Sequence, residues 1–219
     1  MGVLGRFSAS QKLGRMTPHQ LSLLDPGPSL PPGLRYRPDL ISTGEERELV
    51  GQLAALPFRA FEFQGYLGKR RVLSFGWQYD FSARQIRKAE DLPPFLLDLR
   101  ERAAGFAGLA PSDLQQVLLT EYAPGAGIGW HKDKPMFAEV VGLSLLSRCV
   151  FRLRRKTGPT WERSSLTLEP RSAYLLQGAS RTDWEHSIPA VGSLRYSVTF
   201  RSFRSEQAPA RPNRAQVAS

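Results

Sequence analysis

Polar and apolar positions alternate along much of the second half of the chain. Residues 194–203 read LRYSVTFRSF, a repeat of two residues that is typical of a β-strand. Similar short runs, broken by glycine and proline, recur from residue 117 to residue 203. Many short strands separated by turn residues indicate a β-sandwich or a β-barrel.

Helical spacing occurs only in the first half of the chain. Ser42 and Glu45 form a capping box, and apolar residues follow at positions 49, 50, 53 and 56. A second helix is predicted to begin at the two prolines 93 and 94 and to continue to about residue 104. The sequence therefore predicts a mainly β protein of the α+β class, with N-terminal helices packed outside the β core.

Two further strands are predicted between these helices. Residues 58–64 alternate in polarity, residues 71–77 do so again, and the glycines at 65 and 68 mark a turn between them.

The chain has 219 residues, which is enough for one sizeable core. Residues 25–38 are crowded with proline and glycine, so residues 1–39 are expected to form an extended or disordered leader. Residues 40–204 are expected to fold as one domain, and residues 205–219 to form a flexible tail. The basic start of the leader suits a disordered arm, an organelle transit peptide or a segment upstream of a natural start at Met16.

Net charge and cysteine content limit which binding partners and which cellular compartment are expected for the chain. A net charge of +10 and a pI of about 10.2 favour a polyanion such as nucleic acid, although many basic proteins bind none. No apolar run is long enough to span a membrane, and the single cysteine, Cys149, cannot form an internal disulfide. We therefore expect a monomer in the cytoplasm.

Two of the three histidines carry the candidate chemistry. His131 and Asp133 are two residues apart, so on a strand they point to the same side, and His186 would come from another strand. Two imidazoles and one carboxylate form the facial triad of non-haem Fe(II) oxygenases, which leaves open positions for a cosubstrate and for oxygen.

One face of the strand at 195–201 is unusually polar. Arg195, Ser197, Thr199 and Arg201 share it. A solvated outer face explains this pattern, and so does a buried pocket for a dicarboxylate, because the guanidinium fork matches a carboxylate.

Four motifs in order resemble the AlkB family of Fe(II)- and 2-oxoglutarate-dependent dioxygenases. They are YAPGAGIGWHKD at 122–133, GLSL at 142–145, GASRTDWEHSIP at 178–189 and RYSVTFR at 195–201. The resemblance covers residues 40 to 204 and implies a double-stranded β-helix, or jelly roll, of about eight strands. It also implies Fe(II), 2-oxoglutarate and O2 as cofactor and cosubstrates.

The resemblance assigns roles around the metal. His131, Asp133 and His186 would bind the iron, and Arg195 would pair with the far carboxylate of 2-oxoglutarate. Arg201 would lie near the metal and the near carboxylate, as a catalytic and cosubstrate-binding residue. Tyr122, Ser197 and Thr199 would complete the cosubstrate pocket. An asparagine that is frequent in the family two residues before Tyr122 is replaced by Thr120.

The segment KRRVLSFGWQY at 69–79 interleaves cations and aromatic rings. In the family this segment is a flap over the active site, where cations hold phosphates and aromatic faces stack an extruded base. A hairpin with a solvated basic turn and core aromatics is the alternative. The predicted substrate-binding residues are Lys69, Arg70, Arg71, Trp77, Tyr79, Arg181 and Trp184.

The activity implied by the resemblance is oxidative removal of N-alkyl groups, such as methyl, from bases of DNA or RNA, with a role in DNA repair. One departure weakens it, because Lys134 follows the predicted aspartate ligand where many DNA-acting relatives carry an acid. Two alternatives stay open. The same chemistry could act on a methylated protein side chain or a small molecule, or the chain could be a non-catalytic, basic nucleic-acid-binding jelly roll.

Overall fold

A computed structural model describes residues 30–63, 66–80 and 85–204. The predicted tail and most of the predicted leader lie outside these residues. Within these ranges the structure has three α-helices, α1 (Thr43–Ala54), α2 (Leu97–Ala107) and α3 (Gly178–Thr182). The strands of the first half are β1 (Leu34–Arg37), β2 (Arg59–Phe63), β3 (Tyr66–Phe75), β4 (Trp77–Asp80) and β5 (Gln85–Lys88). Those of the second half are β6 (Leu114–Tyr122), β7 (Ile128–His131), β8 (Phe137–Leu145), β9 (Cys149–Thr157), β10 (Thr160–Leu168), β11 (Ala173–Leu176), β12 (Glu185–Ile188) and β13 (Arg195–Phe203).

The strands form two facing sheets and a separate hairpin. The large sheet has the order β1-β11-β8-β13-β6-β3-β2, the small sheet has the order β10-β9-β12-β7, and β4 pairs with β5. Of the eight strands from β6 to β13, β6, β8, β11 and β13 lie in the large sheet, and β7, β9, β10 and β12 form the small sheet. This arrangement is the predicted jelly roll, extended on the large sheet by β1, β2 and β3.

Helices α1 and α2 cover the outer face of the large sheet. The Ser42 hydroxyl accepts from the Glu45 amide and the Glu45 carboxylate accepts from the Ser42 amide, which confirms the predicted capping box. One hydrophobic core lies between these helices and the sheet. Its members from β13 are Tyr196, Val198 and Phe200.

A second core lies between the two sheets and surrounds the polar site. It includes Phe151 and Leu153 of β9, Trp184 and Ile188. Cys149 is buried there among apolar side chains. Among the residues that the structure describes, no helix is long and apolar enough to cross a membrane.

Two sequence-based boundaries are wrong. Residues 66–68 belong to β3 and not to the predicted turn, and the predicted strand at 71–77 is interrupted at Gly76. Gly76 has a φ of +74°, and a Cβ there would lie 2.1 Å from the carbonyl oxygen of Gln115. Only glycine fits this close approach, so the chain turns there from the large sheet into the hairpin.

Candidate active site

The polar face of β13 points into the space between the two sheets. Arg195 is fully buried at 0% exposure, and Ser197, Thr199 and Arg201 are buried as well. This excludes the solvated-face interpretation of the alternating pattern. Register places β13 between β6 and β8, at the centre of the large sheet, so its polar side chains face the small sheet.

The three predicted metal ligands lie together across this space. His131 of β7 is paired directly with His186 of β12, and their ring centroids are 4.3 Å apart. Asp133 follows β7, and its Oδ2 lies 3.7 Å from Nε2 of His186. In the described part of the chain, no group of three His, Cys, Asp or Glu side chains is arranged so that it could hold a metal ion as it stands. The donor set of two imidazoles and one carboxylate nevertheless has the chemistry that Fe(II) prefers.

Burial sets the protonation of these side chains. It lowers the pKa of His186 to about 3, and burial also lowers the pKa of His131. Burial by itself would raise the pKa of Asp133, but the surrounding groups, with the Arg201 guanidinium first among them, together outweigh it and bring that pKa well below its usual range. Near neutral pH the imidazoles are therefore neutral and the carboxylate is ionised, as metal ligation requires.

Hydrogen bonds orient two of the three ligands. Nδ1 of His131 lies 2.9 Å from the Gly129 carbonyl, which can only accept, so Nε2 keeps a free lone pair. Arg201 donates from Nε to Oδ1 of Asp133 at 2.9 Å, and its Nη2 lies 2.8 Å from the same oxygen as an ion pair. Its Nη1 donates to Oε1 of Gln116 at 2.9 Å. Arg201 therefore holds one carboxylate oxygen and leaves Oδ2 directed toward His186.

Arg195 lies at the other end of the same face, and none of the described residues gives it a carboxylate partner. Its Nε donates to the Ser144 hydroxyl at 3.0 Å, and its Cζ lies 4.9 Å from the ring centroid of Tyr122. Its Nη1 is buried and has no hydrogen-bond partner within the described chain. A buried guanidinium donor left unpaired is costly, and a bound carboxylate would satisfy it.

A second tyrosine, Tyr174 of β11, completes the wall of this pocket. It is fully buried and interacts electrostatically with Asp133, Tyr122 and both pocket arginines, and burial raises its pKa. Its ring lies over Gly142, where an added Cβ would meet ring atoms at 2.3 Å. Burial also raises the pKa of Tyr122, so both phenols are neutral hydrogen-bond donors.

Arg70 and Arg71 point to opposite sides of β3. Arg70 pairs in register with Tyr122. Its positive charge lies close enough to Tyr122 and His131 to influence the pKa of each. Its Cζ lies 3.7 Å from the ring centroid of Phe61. Arg71 lies on the helix side and forms a bidentate ion pair with Glu121, both bonds at 2.7 Å. The structure therefore corrects the prediction that Arg71 contacts the substrate, because the ion pair with Glu121 holds its guanidinium away from the site.

The hairpin β4–β5 lies next to the candidate ligands. The Tyr79 ring lies 4.4 Å from Nζ of Lys134, which follows Asp133 in sequence. The Trp77 ring packs edge-on against Phe203 at 6.2 Å, and Lys69 is exposed on β3. The predicted flap is thus beside the site, with Tyr79 nearest.

Two predicted substrate contacts are structural instead. Trp184 is only 2% exposed and is packed in the inter-sheet core, so it has no surface to offer a nucleotide. Arg181 is buried on α3, where its Nη2 donates to the carbonyls of Lys134 and Phe137 at 2.6 and 2.9 Å. It fixes the segment that follows Asp133 and does not face a substrate.

Sequence reasoning missed Gln116, Tyr174 and a role for Ser144. Gln116 shares strand parity with Tyr122, so the alternation of β6 already contained its orientation. Tyr174 had no local signal, because its position depends on the pairing of β11 with β8, some thirty residues away in sequence.

Comparison with known proteins agrees with the class that fold and pocket define. The model of the 2OG-Fe(II) oxygenase superfamily matches residues 33–201. The chain belongs to this superfamily, as an AlkB-like dioxygenase that uses Fe(II), 2-oxoglutarate and O2. The predictions of family, enzyme class and cofactors are confirmed, and the non-catalytic alternative is set aside.

Individual relatives carry several names. An Arabidopsis thaliana protein named "Alkylated DNA repair protein ALKBH8 homolog" is 32% identical over 210 residues, which cover 84% of this chain and 59% of the relative. A Danio rerio "Probable RNA/DNA demethylase ALKBH6" is 32% identical over 51% of this chain and 45% of its own length. A Mus musculus tRNA methyltransferase, ALKBH8, is 29% identical, and this chain spans 24% of it.

The chain therefore spans between 24% and 59% of the length of these relatives. The solved structure titled "The structure of OsALKBH1" has a TM-score of 0.60 at 18% identity, covering 80% of this chain and 99% of that one. At that identity it supports the jelly-roll fold alone.

Proposed function

We propose that this chain oxidatively removes N-alkyl groups, most simply methyl, from bases of a nucleic acid. The observation that carries the oxidative part is the buried, incompletely paired Arg195 in one pocket with His131, Asp133 and His186. A dicarboxylate reaching from the triad to Arg195 would satisfy the free Nη1. The names of the Arabidopsis and Danio relatives support a nucleic-acid substrate.

In this proposal, His131, Asp133 and His186 would hold the iron, with Nε2 of His131, Nε2 of His186 and Oδ2 of Asp133 as the available donor atoms. The bound metal supplies activation of O2. One oxygen atom of O2 goes to the N-methyl carbon of the substrate, and the other goes to 2-oxoglutarate, which leaves as succinate and CO2. The hydroxymethyl product then breaks at its C–N bond, giving formaldehyde and the unmodified base.

The chain's own residues position the reactants. Arg195, Ser144 and Tyr122 bind the far carboxylate, with Ser197 and Thr199 lining the same face. Arg201 orients Asp133 and neutralises charge beside the near carboxylate. The closely packed aromatic and aliphatic side chains of the inter-sheet core exclude water, which strengthens these charge-assisted contacts.

Arg70 is the substrate-facing feature of the pocket. It points to the site side of β3, and no carboxylate partner for it occurs among the described residues. Asp133 already neutralises Arg201, and the cosubstrate would neutralise Arg195, so Arg70 remains to attract an anionic group of the substrate. A phosphate next to the target nucleotide fits this position, with Tyr79 and Trp77 on the hairpin and the exposed Lys69 nearby.

We further propose that the enzyme acts as a monomer in the cytoplasm.

A substrate panel tests the proposal. Iron-loaded protein is given 2-oxoglutarate and N-methylated DNA or RNA oligonucleotides, with methylated peptides as a matched panel, and formaldehyde and succinate are measured together. We expect formaldehyde in proportion to succinate with oligonucleotides only. Succinate without formaldehyde from any oligonucleotide, or formaldehyde from peptides alone, would refute the nucleic-acid assignment but leave the oxygenase chemistry standing.

A further inference from the structure

The small sheet has two faces with opposite character. Its inner face carries the histidines of the site and the apolar residues Phe151 and Leu153. Side chains directly opposite each other in an antiparallel sheet point to the same side. Register therefore places Arg152, Arg154 and Lys156 of β9 together on the outer face, with Trp161, Arg163 and Ser165 of β10 and Glu185 and Ser187 of β12.

This outer surface, here called the basic face, has a strong charge imbalance. The outward side chains of the four strands include four cations and one carboxylate, Glu185, which is itself paired with Arg154 at 2.7 Å. Lys156 and Arg163 are exposed. Glu162, the nearest other acid, points to the opposite side of β10, where it pairs with Arg155. The basic face therefore has a net positive charge that the described chain does not neutralise.

Two indoles hold the guanidiniums of the basic face in place. Cζ of Arg154 lies 4.4 Å from the ring centroid of Trp130 and 4.3 Å from that of Trp161. Cζ of Arg152 lies 5.1 Å from the Trp130 centroid, and its Nε donates to the Ser187 hydroxyl at 3.1 Å. Stacked guanidiniums keep part of their N–H edges open to solvent, and Trp161 is still 37% exposed.

We propose that the basic face binds the sugar–phosphate backbone of a single-stranded nucleic acid. Preorganised guanidiniums suit phosphates, and an exposed indole suits stacking of an unpaired base. An acidic protein would be attracted by the same positive charge, but it has no bases to stack on the indoles of Trp130 and Trp161.

The basic face lies close to the pocket because strands β7 and β12 carry residues of both. Trp130 precedes His131 on β7, which is an edge strand of the small sheet, and Glu185 and Ser187 flank His186 on β12. A strand of nucleic acid leaving the pocket over β7 would therefore meet the basic face. This goes beyond the reaction proposed above, because the binding requires neither iron nor cosubstrate.

Fluorescence anisotropy of a labelled, unmethylated 20-nucleotide single strand, titrated with the full chain in the absence of iron and 2-oxoglutarate, tests the proposal. In Arg152→Gln/Arg154→Gln we expect at least a tenfold loss of affinity. The slope of log K against log salt should fall by about 1.4, since each lost phosphate contact contributes roughly 0.7 for single strands. Lys156→Gln/Arg163→Gln removes two exposed cations without touching Glu185 or Ser187, so it gives the same test without risk to the fold.

The matched control is Arg37→Gln/Arg47→Gln, which removes two exposed charges on β1 and α1. Its salt slope should be that of the unmodified chain. For the aromatic part, Trp161→Ala should weaken binding several-fold, whereas Trp161→Phe should retain most of it.

An unchanged salt slope in both double variants, or an equal effect in the control, would overturn the proposal. So would a poly-glutamate peptide that binds as tightly as the oligonucleotide and loses affinity in the same variants. Binding without formaldehyde release would contradict only the proposed reaction. Formaldehyde release with unaltered binding in the variants would contradict only the basic face.

Discussion

Arg195 and Arg201 lie on the same face of the same strand, yet among the residues that the structure describes a carboxylate lies beside Arg201 and none beside Arg195. Asp133 and Gln116 satisfy Arg201 within the protein, whereas Arg195 keeps one buried nitrogen free. A buried charge without its partner destabilises the folded chain, so its presence is most simply explained by a ligand. The two arginines therefore have different roles. Arg201 orients the metal ligand Asp133, and Arg195 is available to bind a carboxylate.

Replacing Arg195 by Met should separate these effects. We expect affinity for 2-oxoglutarate to fall by roughly 10- to 150-fold, which corresponds to the 1.5–3 kcal/mol of a charge-assisted hydrogen bond. Iron should still bind, and the metal-free variant should be at least as stable as the unmodified chain because an unpaired buried charge is gone. Anaerobic titration and thermal melting measure both quantities. Unchanged succinate output would contradict the assignment of Arg195.

Gln116 should matter for the metal although it does not touch it. Gln116→Leu removes the acceptor of Arg201 Nη1, so Arg201 would hold Asp133 less firmly. Loss of such a supporting contact typically costs 10- to 100-fold in metal affinity. Competition with a chelator measures it. The control is Gln115→Leu, a neighbour on the opposite face of β6 whose Oε1 has no hydrogen-bond partner in the described chain. Equal losses in both variants would show a general effect on β6.

Arg70 and Lys69 offer a matched pair at the substrate side. Arg70→Met should raise KM for a methylated oligonucleotide about tenfold or more, because a partly buried cation facing the pocket is lost. Lys69→Met removes the same charge from an exposed position, where contacts are weak, and should change KM about twofold or less. Steady-state formaldehyde release gives both values. Similar KM values for Arg70→Met and the unmodified chain would remove Arg70 from the substrate site.

At the scale of elements, strand periodicity contained much of the site. The alternation of residues 194–203 predicts which side chains of β13 share a face. The parity of His131 and Asp133 predicts that both point to one side, although β7 ends at His131 and Asp133 lies just beyond it. Which face is buried did not follow from β13 alone, because that depends on the small sheet opposite. The positions of Arg71 and Trp184 were missed for a related reason: charge and aromaticity in a sequence do not say on which side of a sheet a residue lies.

The pairing of β8 with β11 links the scaffold to the pocket at one glycine. In Gly142→Ala the new Cβ would clash with the Tyr174 ring, which has no free space to move into because it stacks on Phe151 at 4.7 Å. We expect a loss of about 1–3 kcal/mol in the free energy of unfolding, together with weaker 2-oxoglutarate binding. Urea unfolding and titration measure these two effects.

A second change checks the cause of that loss. Truncating the ring in Gly142→Ala/Tyr174→Ala should make the added methyl group nearly neutral relative to Tyr174→Ala alone. Gly105→Ala on α2 is the control, since a Cβ there has no neighbour within 4 Å. An additive double variant would show that Tyr174 is not the source of the clash.

At the scale of the whole molecule, polar and apolar functions are divided between two spaces. The core between α1, α2 and the large sheet is almost wholly apolar, whereas the core between the sheets encloses the arginines, the histidines and Asp133. The first core stabilises the fold. The second core contains buried polar and charged groups, which destabilise the fold but form the site. Stability should therefore depend on pH through the groups of the second space.

The two histidines of the site give this dependence its sign. The pKa of His186 is about 3 in the folded chain and 6.5 for an ordinary histidine, and the pKa of His131 is lowered as well. Between these values the unfolded chain binds protons that the folded chain does not, so the free energy of unfolding falls as pH decreases below about 6.5. Asp133 contributes in the same direction only below its ordinary pKa of 3.8, outside the window from 6.5 to 4.5.

Urea unfolding of the metal-free protein at pH 7 and pH 4.5 measures this effect. His186 alone should account for about 2–3 kcal/mol, at roughly 1.4 kcal/mol for each pH unit below 6.5. His131→Gln/His186→Gln keeps polar side chains in place but cannot titrate, so it should lose correspondingly less stability over the same interval. Equal losses in the two proteins would mean that other groups govern the acid response. The imidazoles would then accept protons readily in the folded chain, contrary to their burial as neutral ligands.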